Sequence, residues 1–301
     1  MDRHLTLSGK RKKSHSQILL NLLFVIICAC YILPFMMVVT IALSNTRSVA
    51  SEGFKIFPTA IDFTALKAIF RKPEKILQAY KITIEFTLLH TVLAVILQAL
   101  IAYPLSKSYF THRKALTWYI FFTMLFNAGM IPTYLTNVKV LGLGNSFWAY
   151  VFPGVVSAWN VMVVRTFYVG IPNELFEAAR IDGAGELRTF FEVVVPLSKP
   201  CYATIGFLTL VGKWNDWNTA LVYIRDPKLY SLQYLLQTML RNAEELEKIA
   251  ESALGVDMTE LVSTEPMRFA MALVAAGPVL LIFPWFQKYF SKGLTVGAVK
   301  G

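Results

Sequence analysis

The chain has 301 residues, of which 55% are hydrophobic and only 16% carry a charged side chain. This composition and a mean hydropathy of +0.52 exclude an ordinary soluble domain and predict an integral membrane protein. The formal net charge of +10 is scattered between apolar segments, so it does not predict binding to nucleic acid.

Residues 1–16 form a basic tail, whose dense run "GKRKKSHS" immediately precedes the first apolar segment. Lys and Arg concentrate on the cytoplasmic side of membrane proteins, and such runs also attract anionic membrane lipids. We therefore expect this tail to be cytoplasmic. The apolar segment after it is too long for a signal-peptide core and lacks a small-residue cleavage site, which predicts a retained anchor.

Six apolar segments are long enough to cross a bilayer and together predict an all-α polytopic protein with one membrane domain, residues 17–290. An even number of spans places the C-terminal tail, residues 291–301, on the cytoplasmic side as well. In the third segment, the sequence "FNAGMIPTYL" predicts a broken helix, and broken helices can line a cavity. The predicted spans are residues 17–43, 82–106, 116–138, 147–169, 200–222 and 268–290.

The loops carry a less regular charge pattern. Residues 44–81 would lie outside although they contain seven basic residues. By contrast, residues 222–267 are rich in Asp and Glu, as expected of an external loop. Within this loop, "LYSLQYLLQTMLRNAEELEKIAESAL" has the pattern of one or two amphipathic helices. These helices would form an external docking element or pack on the protein itself.

The loop at 170–199 contains the segment "NELFEAARIDGAGELRTFFEVVVPL", residues 173–197. Asn173 is a suitable N-cap, and the acidic residues after it favour the first turns of a helix. Two small residues, Ala178 and Ala179, permit close approach of another surface, while Gly183 and Gly185 predict the end of the helix. A connection of this length with its own structure predicts a docking site for a cytoplasmic partner. A re-entrant helix packed on its own chain is the alternative.

The segment "EAARIDGAGELRTFFEVVVP" resembles the EAA loop of the inner-membrane permeases of ABC importers. That pattern is Glu-Ala-Ala, three residues, Gly, nine residues, and Ile-x-Leu-Pro; here Val193 and Val195 replace its Ile and Leu. The stretches "GIPNELFEAARIDGA", "VVPLSKP", "AYPLSK" and "KYFSKGLTVGAVKG" resemble the sugar-importing branch and its maltose-type second permease. The resemblance covers most of the chain except the first dozen residues and the loop 222–267.

The resemblance implies a non-catalytic subunit with six spans in the bacterial plasma (inner) membrane, both termini in the cytoplasm, and an EAA coupling helix that docks on an ATPase. Its implied partners are a second homologous permease, two ATP-binding subunits and an extracytoplasmic sugar-binding protein. ATP and Mg²⁺ would be bound by the ATPase subunits, and no cofactor by this chain. Indeed, "SGKRKKS" lacks the spacing of a phosphate-binding loop. The residues implied in coupling are Glu177, Ala178, Ala179, Asp182, Gly183 and Pro196.

The C-terminal "LTVGAVKG" resembles tails that reach into the ATPase pair, which implies contacts from Lys300 and Gly301; a frayed end is the alternative. Sugars present apolar ring faces and hydroxyl edges, so their path requires aromatic and amide or carboxyl groups. The segment "GKWNDWNTALVY" offers such groups near one end of the fifth span, although interfacial anchoring explains its tryptophans equally well. The candidates for the substrate path are Asn127, Trp159, Asn160, Trp214, Asn215, Asp216, Trp217 and Asn218.

The leading hypothesis is therefore the permease subunit of a binding-protein-dependent importer for carbohydrate, working by alternating access. Permeation of a non-sugar solute through the same kind of importer is the first alternative. An ion-driven secondary transporter would require internal repeats with matched ionisable residues, which the sequence lacks. A membrane scaffold would have unbroken helices. No cysteine pair has metal or disulfide spacing in an aqueous segment, so no metal site is expected.

Overall fold

The computed structural model describes residues 15–45, 53, 55, 61–252 and 264–298. Within these ranges the chain is helical, and its β-type pairing is limited to a single bridge between Ser44 and Ile61. Most of the basic tail and the last three residues lie outside the described ranges. Two compact units are formed, Met1–Ile69 with Leu246–Leu273 and Phe70–Glu245 with Val274–Gly301.

The helices of the first part of the chain differ greatly in length. In chain order they are α1 (His15–Ala42), α2 (Thr64–Ile69), α3 (Pro73–Ser106), α4 (Arg113–Leu125), α5 (Met130–Leu135, continued by a π-helical turn at Thr136–Val140), α6 (Trp148–Val151) and α7 (Ala158–Val169).

The second part begins with short helices and ends with two long ones. They are α8 (Asn173–Ile181), α9 (Glu186–Thr189, continued by a π-helical turn at Phe190–Val194), α10 (Val195–Leu197), α11 (Lys199–Trp214), α12 (Asn218–Tyr223), α13 (Leu232–Ser252) and α14 (Thr264–Ala298), with a 3-10 turn at Pro227–Leu229 before α13.

Three helical stretches among the described residues are long and apolar enough to cross a membrane: Gln17–Ala42, Pro73–Ser106 and Pro266–Lys288. Two bent helix pairs bring the total to as many as five. The predicted span 147–169 instead consists of the four-residue α6 and the twelve-residue α7 with a non-helical connection. The count of six spans therefore stays a prediction.

The predicted break in the third segment is present in the structure. Helix α4 ends at Leu125, and the next helical stretch, Met130–Val140, leaves it at an angle of 113°. At the corner, Gly129 has a φ of +86°, a conformation that L side chains rarely adopt, and its N–H donates to Oδ1 of Asn127 at 2.8 Å. The turn chemistry of "NAG" thus produces the corner.

Polar side chains of α3 hold the irregular connection between α6 and α7. Nδ1 of His90 lies 2.7 Å from the carbonyl oxygen of Val151, and the Gln98 amide donates to that of Val155 at 3.1 Å. A carbonyl oxygen only accepts, so His90 carries its proton on Nδ1. Non-helical backbone at membrane depth requires such internal partners. His90 and the Gln98 amide nitrogen therefore have a structural role.

Helix α3 also carries the two apolar cores of its unit, one toward each end. At its N-terminal end, Phe86 stacks on Tyr150 with ring centroids 4.3 Å apart, beside the fully buried Ala220. At its C-terminal end, Ala102 and Leu105 pack with residues of α7, α9 and α11. The second core lies directly beneath the segment that resembles the EAA loop.

Candidate functional site

Helix α8 is the segment that the sequence predicts as a docking element. It begins at Asn173, but the N-cap position falls one residue earlier, on Pro172, and carries no side-chain cap hydrogen bond. The prediction that Asn173 caps the helix is therefore wrong, because a helix can begin on proline geometry without a side-chain acceptor. Glu174 in the first turn and Arg180 in the last both match the helix dipole.

Helix α8 ends in a Schellman motif centred on Gly183. The N–H of Gly183 donates to the carbonyl of Arg180 at 3.0 Å, and that of Ala184 to the carbonyl of Ala179 at 2.9 Å. This pattern needs a left-handed residue after the C-cap, and Gly183 has a φ of +72°. Gly185, two residues later, has an ordinary φ of −70°. Only the first of the two glycines is conformationally required.

The two faces of α8 differ sharply. Ala179 is buried, whereas Ala178, Glu177 and Asp182 are exposed. Ile181 exposes 86% of its surface. One face of the helix thus packs on its own chain, and the other exposes Ala178 and Ile181 among charged residues. Pro196, predicted as part of the same site, lies exposed in α10.

A carboxylate fastens this region to the end of α3. The two oxygens of Glu186, the first residue of α9, each accept a hydrogen bond of 2.7 Å, one from the Tyr103 hydroxyl and one from the Tyr109 hydroxyl. Hydrogen bonds to an ionised acceptor are stronger than neutral ones. The turn after α8 is therefore tied to α3 and to the loop that follows α3. We call this set of three residues the Glu186 latch.

Cations and aromatic rings surround the latch. The ammonium of Lys107 lies 3.0 Å from the ring centroid of Phe176 in α8 and 4.8 Å from that of Tyr103. The guanidinium of Arg180 lies 4.8 Å above the ring of Tyr109. All three contacts have cation–π geometry. The Lys107–Phe176 and Arg180–Tyr109 contacts join α8 to the α3–α4 connection. The helix is thus held from two sides.

The electrostatics of the latch follow from burial and neighbouring charges. Burial tends to raise the pKa of Glu186, but the two tyrosine hydroxyls and the charges of Lys107 and Arg180 hold it below its usual range. Burial lowers the pKa of Lys107 to about 8, although the Glu186 charge acts in the opposite direction. The carboxylate is consequently ionised at neutral pH, and the lysine has a burial cost that its neighbours offset only in part.

The segment proposed for the substrate path is partly buried in the fold. Trp214 is only 2% exposed, and its indole N–H donates to the carbonyl of Ala275 in α14 at 2.9 Å. Asn215 donates to the carbonyl of Val211 at 3.0 Å and accepts from Gln233 at 3.1 Å. The contacts with Ala275 and Gln233 join α11 to α14 and α13, and the contact with Val211 lies within the C-terminal end of α11 itself.

Asp216 has a capping role in the same segment. One of its oxygens accepts from the N–H of Thr219 at 2.9 Å, and the other accepts from the Thr219 hydroxyl at 2.7 Å. Lys213 forms an ion pair with it at 3.3 Å, and both side chains are largely buried. This arrangement is that of a side chain at a helix N-terminus. It explains why α12 begins as a separate helix.

The remaining path candidates keep more of their surface free. Trp217 is 38% exposed, Trp159 is 64% exposed, and Asn218 is exposed. Asn160 is half-buried, and its amide lies 3.5 Å from the Thr209 hydroxyl, which joins α7 to α11. Asn127 belongs to the corner before α5. The structure does not gather all eight candidates into one cavity among the described residues.

Sequence reasoning missed the Glu186 latch and Lys107. "AYPLSK" contains Tyr103 and Lys107, but nothing in the sequence indicates that they meet residues some eighty positions later. Lys300 and Gly301, predicted to contact an ATPase, lie outside the described residues. Among the residues that are described, His, Cys, Asp and Glu form no group of three that could hold a metal ion.

Residues 7–296 match the family model described as the binding-protein-dependent transport system inner membrane component. The polygalacturonan/rhamnogalacturonan transport system permease protein YtcP of Bacillus subtilis (strain 168) is 36% identical over 285 residues, which cover 93% of this chain and 95% of that protein. The melibiose/raffinose/stachyose import permease protein MelC of the same organism is 30% identical over 299 residues, which cover 96% and 99%.

A solved structure gives the same result for the fold. One chain of a bacterial ABC transporter involved in the import of the acidic polysaccharide alginate superposes with a TM-score of 0.76 at 29% identity, covering 94% of this chain and 99% of the other. The match extends over almost the full length of both chains. The protein therefore belongs to the family of binding-protein-dependent transport system inner membrane components, the permease subunits of ABC importers.

Proposed function

We propose that this chain forms half of the translocation path of an ATP-driven importer for oligosaccharides and that α8 is its coupling helix. A second, homologous permease completes the path, and an extracytoplasmic binding protein delivers the sugar. Two separate ATPase subunits bind ATP and Mg²⁺, so this chain is itself non-catalytic. The observation that carries the proposal is α8, a short helix with one face held by its own chain and an outward face on which Ala178 and Ile181 stand among charged residues.

The membrane arrangement is part of the same proposal. Six spans would cross the bacterial inner membrane, the loop 170–199 and both terminal tails would lie in the cytoplasm, and the loop 222–267 would lie outside. The bent pair Arg113–Leu125 with Met130–Val140 would count as one span, and the fifth span would begin with α11 (Lys199–Trp214), after the cytoplasmic loop. The α6–α7 region would supply the sixth through its contacts with α3.

The geometry supports a rigid transfer of motion. The Schellman motif at Gly183 fixes the end of α8, and the Glu186 latch and the cation–π contacts of Lys107 hold this region against the end of α3. When ATP brings two ATPase subunits together, a helix held in this way would carry the movement into the spans. Rigid-body rotation of packed elements is a common form of such switching. The path would then alternate between outward and inward access.

Carbohydrate is proposed as the substrate because the similar proteins are named for it. Their names include polygalacturonan and rhamnogalacturonan, melibiose, raffinose and stachyose, and alginate. Trp217 and Asn218 are the exposed aromatic and amide groups of the segment 214–218 and are the residues proposed to face the sugar. Trp214 and Asp216 would support them from within the fold.

Cysteine cross-linking tests the coupling assignment. Ala178→Cys places a thiol on the exposed face of α8, whereas the neighbouring Ala179 is buried and unsuitable. We expect Ala178→Cys to cross-link to the co-expressed ATPase and to react with an impermeant maleimide only in inside-out vesicles. Lys228→Cys, exposed near the other end of α3, is the control and should react from the opposite side. Labelling of both thiols from the same side would refute the proposal.

Uptake into proteoliposomes tests the substrate class. The complete importer with its binding protein should accumulate either oligogalacturonate or raffinose in an ATP-dependent manner. Oligogalacturonate is acidic and raffinose is neutral, so the comparison shows which of the two classes of sugar is transported. Trp217→Ala should lower uptake without loss of ATPase association. ATP-dependent uptake of an amino acid or peptide but of neither sugar would replace carbohydrate with a different solute.

A further inference from the structure

A cavity of about 530 Å³ lies between α8, the end of α7 and the connection from α3 to α4. Its charged lining residues are Lys107, Arg113, Arg165, Arg180 and Glu177, four cations against one carboxylate, which leaves an excess of three positive charges. Serine and asparagine side chains complete a largely polar wall. We call this space the basic cavity.

The neighbouring carboxylates neutralise these cations only in part. Lys107 is only 8% exposed, and among the described residues its ammonium has aromatic faces rather than a hydrogen-bond acceptor. Glu186 lies near it, but both oxygens of that carboxylate accept from tyrosines. Arg165 donates Nε to the Leu105 carbonyl at 3.0 Å, which fixes its guanidinium at the wall without supplying a negative charge. Counting Glu177 and the adjacent Glu186 against the four cations leaves an excess of two positive charges, and such an excess favours an anionic ligand.

The helix ends around the cavity indicate which kind of anion the cavity binds. Helix α3 ends at Ser106, α4 begins at Arg113 and α7 ends at Val169, so the cavity lies where three helices of the permease have one of their termini. Basic pockets between membrane helices at this level bind phospholipid headgroups. Arg side chains in particular match the oxygens of a phosphate bidentately.

Helix α4 supplies an apolar surface beside the same cavity. It has thirteen residues starting from Arg113, and none of them is buried. Trp118, Tyr119 and Phe122 each expose more than half of their surface. An acyl chain can lie along this surface while its headgroup occupies the cavity. These rings lie in the predicted third span, where acyl chains are adjacent, so a single lipid can contact both the rings and the cavity.

We propose that the basic cavity binds the phosphodiester headgroup of an anionic phospholipid of the inner leaflet, with its acyl chains along α4. This inference rests on the proposed cytoplasmic position of α8. The bound headgroup would fill the space between α8 and α7 and so support the coupling helix from the membrane side.

The test compares two neighbouring cations. Arg113 lines the cavity, whereas Lys114 is exposed and does not. The complete importer is reconstituted in phosphatidylglycerol or in phosphatidylcholine with the same acyl chains, re-extracted in detergent, and its retained lipid is measured by native mass spectrometry. We expect Arg113→Gln and Lys107→Met each to reduce retained phosphatidylglycerol about fivefold, since each basic residue near an anionic lipid contributes roughly that factor. Lys114→Gln should retain the wild-type amount.

Several outcomes would overturn the inference. Equal lipid retention in all variants, or an equal loss with Lys114→Gln, would exclude a built headgroup site. Displacement by millimolar inorganic phosphate together with no preference for phosphatidylglycerol would indicate a small free anion. Loss of ATPase association in Arg113→Gln with unchanged lipid would assign the cavity to an acidic protein segment.

One further variant separates this inference from the proposed function. Ser108→Cys, in the wall of the cavity, should react with impermeant maleimide only from the cytoplasmic side. Reaction only from outside would refute the proposed orientation itself. Cytoplasmic reaction and normal ATPase association, combined with unchanged lipid retention, would refute the lipid site alone.

Discussion

The sharpest prediction concerns Gly183 and its near neighbour Gly185. Both glycines are exposed, and a Cβ atom added to either would meet no other atom within 4 Å. They differ in backbone conformation, since Gly183 has a φ of +72° and Gly185 a φ of −70°. Alanine at the two positions therefore isolates one variable, the left-handed conformation that ends α8.

The magnitude follows from that conformation. The left-handed region costs an L residue about 1–2 kcal/mol, and no clash adds to this value at Gly183. Such a cost changes the balance between the Schellman end and an unwound end about five- to thirtyfold. Gly185→Ala should change this balance little, because its φ is accessible to any residue.

The assay is ATP-driven uptake at matched membrane levels, with cross-linking through Ala178→Cys as a second readout. We expect Gly183→Ala to lower both the uptake rate and the cross-linking yield severalfold, while Gly185→Ala stays close to wild type. Equal losses in the two variants would mean that the loop responds to added volume rather than to backbone conformation. No loss in either would show that the end of α8 does not set coupling.

Three further predictions concern charged residues, and a fourth concerns Trp217. Glu186→Gln should lower the free energy of unfolding by about 1 kcal/mol at neutral pH, a value that already allows for solvent exposure. Because the folded pKa of Glu186 is depressed, the full difference between wild type and variant should be present above the usual carboxyl pKa of 4.5. Thermal melts should show this difference disappearing as the pH falls through the folded pKa. In delipidated protein, the melting temperature of wild type relative to Lys107→Met should rise from pH 8 to pH 10. The reason is that the pKa of Lys107 is about 8 in the folded protein and 10.5 ordinarily, so in this pH range the unfolded chain binds more protons than the folded protein does. Asp216→Ala should cost about 1 kcal/mol of stability through the lost cap, whereas Trp217→Ala should lower uptake at unchanged melting temperature.

Sequence periodicity located the long helices well because their signal is local. The first predicted span, residues 17–43, corresponds to α1 (His15–Ala42), and the break before Met130 follows from the turn preference of glycine. The end of α8 at Gly183 is likewise a local property. By contrast, hydropathy joined α6 and α7 into one span, since apolar composition continues through a backbone that is not helical.

The candidate site was predictable only in part, for a related reason. The docking helix is one contiguous segment with its own motif, whereas the latch depends on Glu186 meeting Tyr103 and Tyr109 across α3. Such contacts come from tertiary packing and leave no spacing pattern in the chain. The burial of Trp214 was missed because an aromatic residue beside asparagines looks the same whether it binds sugar or donates to a backbone carbonyl.

The position of α3 explains why a movement of α8 should reach the far end of the permease. This helix has 34 residues and is therefore about 50 Å long. The latch grips it near Tyr103, the amide of Gln98 and the ring of His90 hold the α6–α7 connection, and the Thr83 hydroxyl accepts the N–H of Leu232 at the start of α13. A stiff element attached at successive levels cannot shift at one end without displacing partners along its length. Cutting the latch with Glu186→Gln should therefore reduce uptake more than it reduces ATPase association, because docking uses the outward face of α8 and transmission uses α3.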